Sequence, residues 1–292
     1  MKEKKIEKII VPPAYHWVGD GFRVHNFIPS QKGLEMERMT PFVLLDYASK
    51  HNFPPSNMPK GVGVHPHRGF ETVTIAYKGR VQHHDSSGGG GIIGEGDVQW
   101  MTASSGILHK EYHEKEWSKE GGEFQMVQLW VNLPAKDKKS SPKYQAITKE
   151  MMGKHILADN AGVIEVIAGN YGGVKGPAFT FTPIHLMNAK LKKGGVAQFT
   201  FPSNYNTALL VIEGDVVIND KESAPTDNLV LFKNSGEEFT IKANEDSIVL
   251  IMSGEPIAEP ISAYGPFVMN TRAEITKAFD DYYNGEFGHL ED

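Results

Sequence analysis

Two short stretches combine residue types that bind first-row metals: His65-Pro66-His67 and His109-Lys110-Glu111. In extended chain, side chains two positions apart point to the same face, so each pair can offer two neighbouring ligands to one ion. Taken alone each pair is weak, because this composition produces about half a chance His-x-His and about one chance His-x-Glu in such a length. His289-Leu290-Glu291 has the look of such an accident. The combination says more. Both pairs stand beside glycines (Gly63, Gly69 and Gly106) and are about 40 residues apart, which suits two antiparallel strands facing each other across a small barrel. Three imidazoles and a carboxylate would then converge, a set that suits Fe(II) and tolerates Mn, Co, Ni, Cu or Zn. The plain alternative is that these are satisfied barrel histidines or surface residues.

The distribution of histidine points to the same place. Of the 12, six (His65, His67, His83, His84, His109 and His113) fall in one stretch, whereas the 179 residues after His113 hold three. The chain has no cysteine, so disulfides, thiolate sites and iron–sulfur clusters are excluded, and any metal must be held by nitrogen and oxygen. A net charge of −6 without a basic block argues against direct nucleic-acid binding. No apolar run approaches the roughly 20 residues of a membrane span. The charged opening Lys2–Lys8 leads only to Ile9-Ile10-Val11 before two prolines, too short for a signal peptide, so a cytoplasmic location is expected.

The elements that must position these residues read as β-structure. Thirty glycines and 17 prolines punctuate runs rich in Val, Ile, Thr, Phe and Tyr. Runs 72–77, 124–131, 207–212, 228–232 and 247–252 read as strands. At 292 residues two domains are expected, and the polar stretch 135–142 is the linker candidate, giving 1–138 and 139–292. Each half contains a strand, a Gly turn and a second strand (around Gly79 and Gly214), a weak internal duplication. One helix is clear: Thr271 and Glu274 form a capping box, Ile275, Ala278, Phe279 and Tyr282 share a face, and Asn284-Gly285 stops it.

The histidine pairs lie within longer stretches that resemble the pirin family: GVHPHRGFET at 63–72, GDVQWMTA at 96–103, GILHKE at 106–111, QLWVNL at 128–133 and YGPFVMNT at 264–271. The resemblance implies an all-β bicupin, two stacked antiparallel jelly-roll barrels with a short C-terminal helix. It implies one divalent metal, iron by preference, held in the N-terminal barrel by His65, His67, His109 and Glu111. It implies a C-terminal barrel without metal, and Thr200 and Pro202 indeed stand before Gly214 where His65 and His67 stand before Gly79.

Glu71 is where many cupins supply a carboxylate ligand. Its even spacing from His67 would put it on the same strand face, and with Glu111 in the ligand role it is expected to support the site rather than bind the ion. His83, followed by Asp85, is expected near the barrel mouth, where it would orient or protonate substrate; the ordinary alternative is a surface turn histidine. Tetraglycine 88–91 lacks a following Gly-Lys-Ser/Thr and reads as a hairpin loop, not a nucleotide site. Trp100, Met101 and Trp130 read as core rather than pocket.

Several bacterial pirins resemble quercetin 2,3-dioxygenase, which makes a flavonol and O2 the expected substrates, with Glu111 as proton acceptor. The competing expectation is a non-enzymatic, metal-dependent regulator that binds a transcription factor or metabolic enzyme. A cupin isomerase or sugar-binding module is disfavoured, because the matched stretches are pirin-like well beyond the metal motifs.

Overall fold

A computed structural model describes residues 2–292 as strands joined by short turns, with few helices. The chain forms two units, each discontinuous in sequence: 13–149 with 257–292, and 2–12 with 150–256. This differs from the expected division at 138/139. The stretch 135–142 does not behave as a linker, because Lys138 is only 2% exposed and its ammonium reaches three oxygens of the first unit. The C-terminal helix belongs to the first unit rather than to the second.

Both units share one plan. The first has a seven-stranded antiparallel sheet in the order Lys143–Ile147, Val98–Thr102, Phe70–Lys78, Gly122–Asn132, Phe42–Phe53, Phe22–Ile28, His16–Val18. Its second sheet has four strands, Gly61–His67, Ile107–His113, Val81–Asp85 and Gly90–Ile93. The second unit repeats seven plus four, with Val196–Thr200, Glu238–Ala243, Asp215–Ile218 and Glu222–Pro225 as its small sheet. The expected pair of cupin folds and their internal duplication are therefore present. All five strands read from the sequence occur.

The interiors of the two units differ. In the second, Phe199 and Phe239 pair across the small sheet with rings 5.3 Å apart, and Phe201 and Phe232 pack beside them. In the first, the corresponding neighbouring strands bring histidines together instead. The helix Arg272–Tyr283 starts where Thr271 Oγ1 accepts from the Glu274 N–H, buries Ile275 and Ala278, and stops at Gly285, whose φ of +77° needs no Cβ. Among the described residues no helix is long and apolar enough to cross a membrane.

Candidate metal centre

The strands carrying the two motifs are hydrogen-bonded neighbours in one sheet, not opposite walls of a barrel. His65 stands directly across from His109, while Glu111 pairs with Val62 on one side and His83 on the other. Between these rows lies a bulge, so that strand Gly61–His67 accommodates one extra residue near Gly63. Spacing in the sequence fixes which face a side chain takes but not which strand lies next to it, and this is where the expected arrangement departed from the observed one.

The sheet brings His65, His67 and His109 into one group whose donor atoms lie within 4.8 Å of one another, and His83, His109 and Glu111 into a second, overlapping group. Ring centroids of His65 and His109 are 4.2 Å apart and those of His67 and His109 4.7 Å. His67 and Glu111 are each 4% exposed, and His83 and His109 are fully buried. His65 alone is partly open to solvent.

Burial drives the His67 and His109 rings well below the usual histidine range, and neighbouring imidazoles push them further. Burial also lowers His65, against the pull of the Gly63 carbonyl and Glu111. Neutral rings are the form that binds metals. The hydrogen bonds assign the tautomers: His65 Nδ1 meets the Gly63 carbonyl at 2.8 Å and His67 Nδ1 the Pro266 carbonyl at 3.2 Å, so both carry the proton on Nδ1 and keep the lone pair on Nε2. His109 Nδ1 faces His83 Nδ1 at 3.4 Å, and its Nε2 is buried without a partner among the described residues. A buried, unpartnered imidazole nitrogen beside two similarly prepared rings is what a divalent metal would satisfy, so the cluster fits that group.

Glu111 is held at both oxygens. Gln99 Nε2 donates to Oε1 at 2.6 Å, joined by the Thr74 hydroxyl at 3.2 Å, and Gln128 Nε2 donates to Oε2 at 2.8 Å. These supports were missed from the sequence, because nothing local marks Gln99 or Gln128 as facing Glu111. His83 is not a surface turn residue. Its Nε2 donates to Asp85 Oδ2 at 3.1 Å and its ring stacks on Tyr144 at 5.1 Å. Burial raises the Asp85 carboxyl, but His83, Ser87 and the Gly89 N–H outweigh that and hold it below the usual range. The tetraglycine hairpin permits this: a Cβ on Gly89 would lie 2.3 Å from Asp85 Oδ2.

Glu71 is not on the histidine face. Gly69, with φ of +90°, turns the chain after His67, and Glu71 begins a strand of the larger sheet. Thr74 points at Glu111, so Glu71, three residues earlier on that strand, takes the opposite face, where Thr102 Oγ1 donates to it at 2.7 Å. Trp100 shares that outer face by pairing with Val73 and is core as expected. Trp130 is closer to the chemistry, with its ring 5.1 Å from His67 and stacked on Phe70 at 4.2 Å.

The family models for Pirin and for the Pirin C-terminal cupin domain match residues 21–131 and 186–288. A Pseudomonas aeruginosa protein provisionally named quercetin 2,3-dioxygenase is 46% identical over 97% of this chain and 98% of its own length. Pirin-1 of Arabidopsis thaliana is 37% identical over 92% of this chain and 90% of its own. Among solved structures, quercetin 2,3-dioxygenase from Acinetobacter baumannii aligns with a TM-score of 0.92 at 47% identity, covering 99% of both chains.

Proposed function

The chain belongs to the pirin family, and from that premise we propose that it is a flavonol 2,3-dioxygenase that uses one divalent metal, iron, with His65, His67, His109 and Glu111 as ligands. The observation that carries this reading is the buried, unpartnered Nε2 of His109 beside two neutral imidazoles whose Nδ1 protons are already engaged. The relatives named for quercetin 2,3-dioxygenase supply the substrate class and O2.

The metal would supply Lewis acidity, favouring the ionised flavonol at its 3-hydroxyl and 4-carbonyl oxygens and holding it against O2. The protein does the rest. Glu111 accepts the 3-hydroxyl proton, its orientation fixed by Gln99, Thr74 and Gln128. His83, aligned by Asp85, holds or returns a proton beside His109. Trp130, backed by the buried ring of Phe70 and next to His67, offers a flat apolar face to an aromatic substrate.

Elemental analysis of the purified protein and loss of flavonol absorbance under O2 test this reading. We expect stoichiometric metal and quercetin turnover in the wild type, no metal in His65→Ala, and turnover reduced on the order of 10²- to 10⁴-fold in Glu111→Ala. Failure of the wild type to take up metal after reconstitution would overturn the ligand assignment.

One observation favours a second reading, a metal-dependent regulator. A cleft of about 610 Å³ in the first unit is lined by Arg80, Glu95 and Trp117, and one of about 290 Å³ by Arg68, Lys138 and Asp281; none of the four proposed ligands lines either. An ion held away from both clefts suits a sensor. Stoichiometric metal without turnover of any flavonol would decide for it.

A further inference from the structure

Lys138 lies in a stretch whose composition reads as a solvated linker, yet its side chain is buried. Its Nζ donates to the Gly69 carbonyl at 2.7 Å, to Asn132 Oδ1 at 2.6 Å and to the Val268 carbonyl at 2.9 Å. Three acceptors match the three protons of an ammonium, and an amine could serve only two of them. Burial pulls this lysine down to about 7, against the attraction of Glu259 and Glu274; only the charged form serves all three acceptors.

The two carbonyls it joins both lead to His67. Gly69 follows the end of strand Gly61–His67 by two residues. Val268 follows Pro266, whose carbonyl receives His67 Nδ1–H at 3.2 Å, and the Val268 N–H itself donates to the Arg68 carbonyl at 3.1 Å. The two segments touch at the backbone, since a Cβ on Gly69 would lie 2.0 Å from the Val268 carbonyl oxygen. A cation within hydrogen-bond distance of both carbonyl oxygens attracts each of them and holds the two segments together. The remaining side of the turn is pinned separately: Arg68 Nε donates to the Ser105 carbonyl at 2.6 Å and Nη1 to Asp281 Oδ2 at 2.7 Å.

We propose that Lys138 is a positioning residue for the metal centre: its buried ammonium ties the turn after His67 to segment 266–268 and thereby fixes the carbonyl that sets the tautomer and rotation of the His67 ring. The proposal rests on the reading of His67 as a ligand. Removing a hydrogen-bond partner one shell out from a metal lowers affinity by about 10- to 100-fold in well-studied sites; Lys138 acts one step beyond the Pro266 carbonyl, so a loss at the low end, about 10-fold, is expected here.

The test is Lys138→Met, which keeps length and removes all three donors, with Lys138→Arg as the conservative variant and Lys139→Met as the neighbouring control. Co(II) titration of the metal-free protein, followed by its visible spectrum, should show affinity about 10-fold weaker and an altered spectrum for Lys138→Met, partial recovery for Lys138→Arg, and wild-type behaviour for Lys139→Met. In the metal-free protein the His67 Nδ1–H resonance, protected in the wild type, should exchange faster in Lys138→Met. Should Lys138→Met not fold, Lys138→Gln, with two N–H donors, takes its place. A folded variant with wild-type Co(II) affinity and an unchanged His67 resonance would overturn the proposal. His67→Ala separates the two ideas: if it still binds Co(II) as tightly as wild type, the ligand reading has failed, whatever Lys138 does to the ring.

Discussion

Glu71 is a carboxyl whose proton should report on folding. Burial raises it to about 7, even though Thr102 and Trp100 pull it down. Below about pH 4.5 it is neutral in both folded and unfolded chains. Between about 4.5 and 7 the unfolded chain releases the proton while the folded one keeps it, so stability falls as pH rises, by up to about 3 kcal/mol once above 7. Glu71→Gln should remove that slope: denaturant unfolding at pH 5 and pH 8 would show a large difference for wild type and a smaller one for the variant. Parallel profiles would sink the assignment. At this scale the sequence was informative where a residue type has few uses. His65, His67, His109 and Glu111 stood out by spacing; the structure gathers His65, His67 and His109 in one group and His83, His109 and Glu111 in another. The face of Glu71 was misplaced for a physical reason, because Gly69 turns the chain after His67, and the surroundings of His83 depend on the glycine hairpin around Asp85, which spacing does not carry.

At the scale of elements, the metal cluster depends on how closely strand Gly61–His67 approaches strand Ile107–His113. Gly61 faces Tyr112 just beyond the bulge, and a Cβ there would lie 2.2 Å from the Glu111 carbonyl oxygen. Because backbone cannot yield as a side-chain tip does, Gly61→Ala should cost about 2 kcal/mol or more. It should also weaken metal binding by moving Glu111. Thermal melting with Co(II) titration checks both, and an unchanged variant would mean the ladder is looser than drawn. Strands were legible because runs rich in Val, Ile, Thr, Phe and Tyr between turn residues are a local signal, as at 72–77 and 207–212. Their neighbours were not, since pairing is decided by contacts far apart in the chain. The same limit hid Gln99 and Gln128, which matter only because Glu111 faces them across the interior.

For the whole molecule, the interleaved units predict how fragments behave. Residues 1–149 alone would lack Pro266, Val268 and Asp281, the partners of His67, Lys138 and Arg68, and would carry strand Ile6–Ile10 without the strand Leu229–Phe232 that it pairs with. The fragment should show no cooperative melting and no tight Co(II) binding, and mixing it with 150–292 should restore both. A cooperative, metal-binding fragment 1–149 would show that the exchanged segments are dispensable. Two units with one plan could be read from the repeated glycine turns at Gly79 and Gly214. Their interleaving could not, because a terminal strand or helix carries no compositional mark of the unit it joins. That interleaving also bears on inheritance. With segment borders at 12/13, 149/150 and 256/257, no single genetic crossover can replace one unit with a homologue's and leave the other whole. Exchanging the whole first unit takes three crossovers, at 12/13, 149/150 and 256/257, whereas its clustered histidines, all within 13–149, can be exchanged by two without the helix and turn that support them.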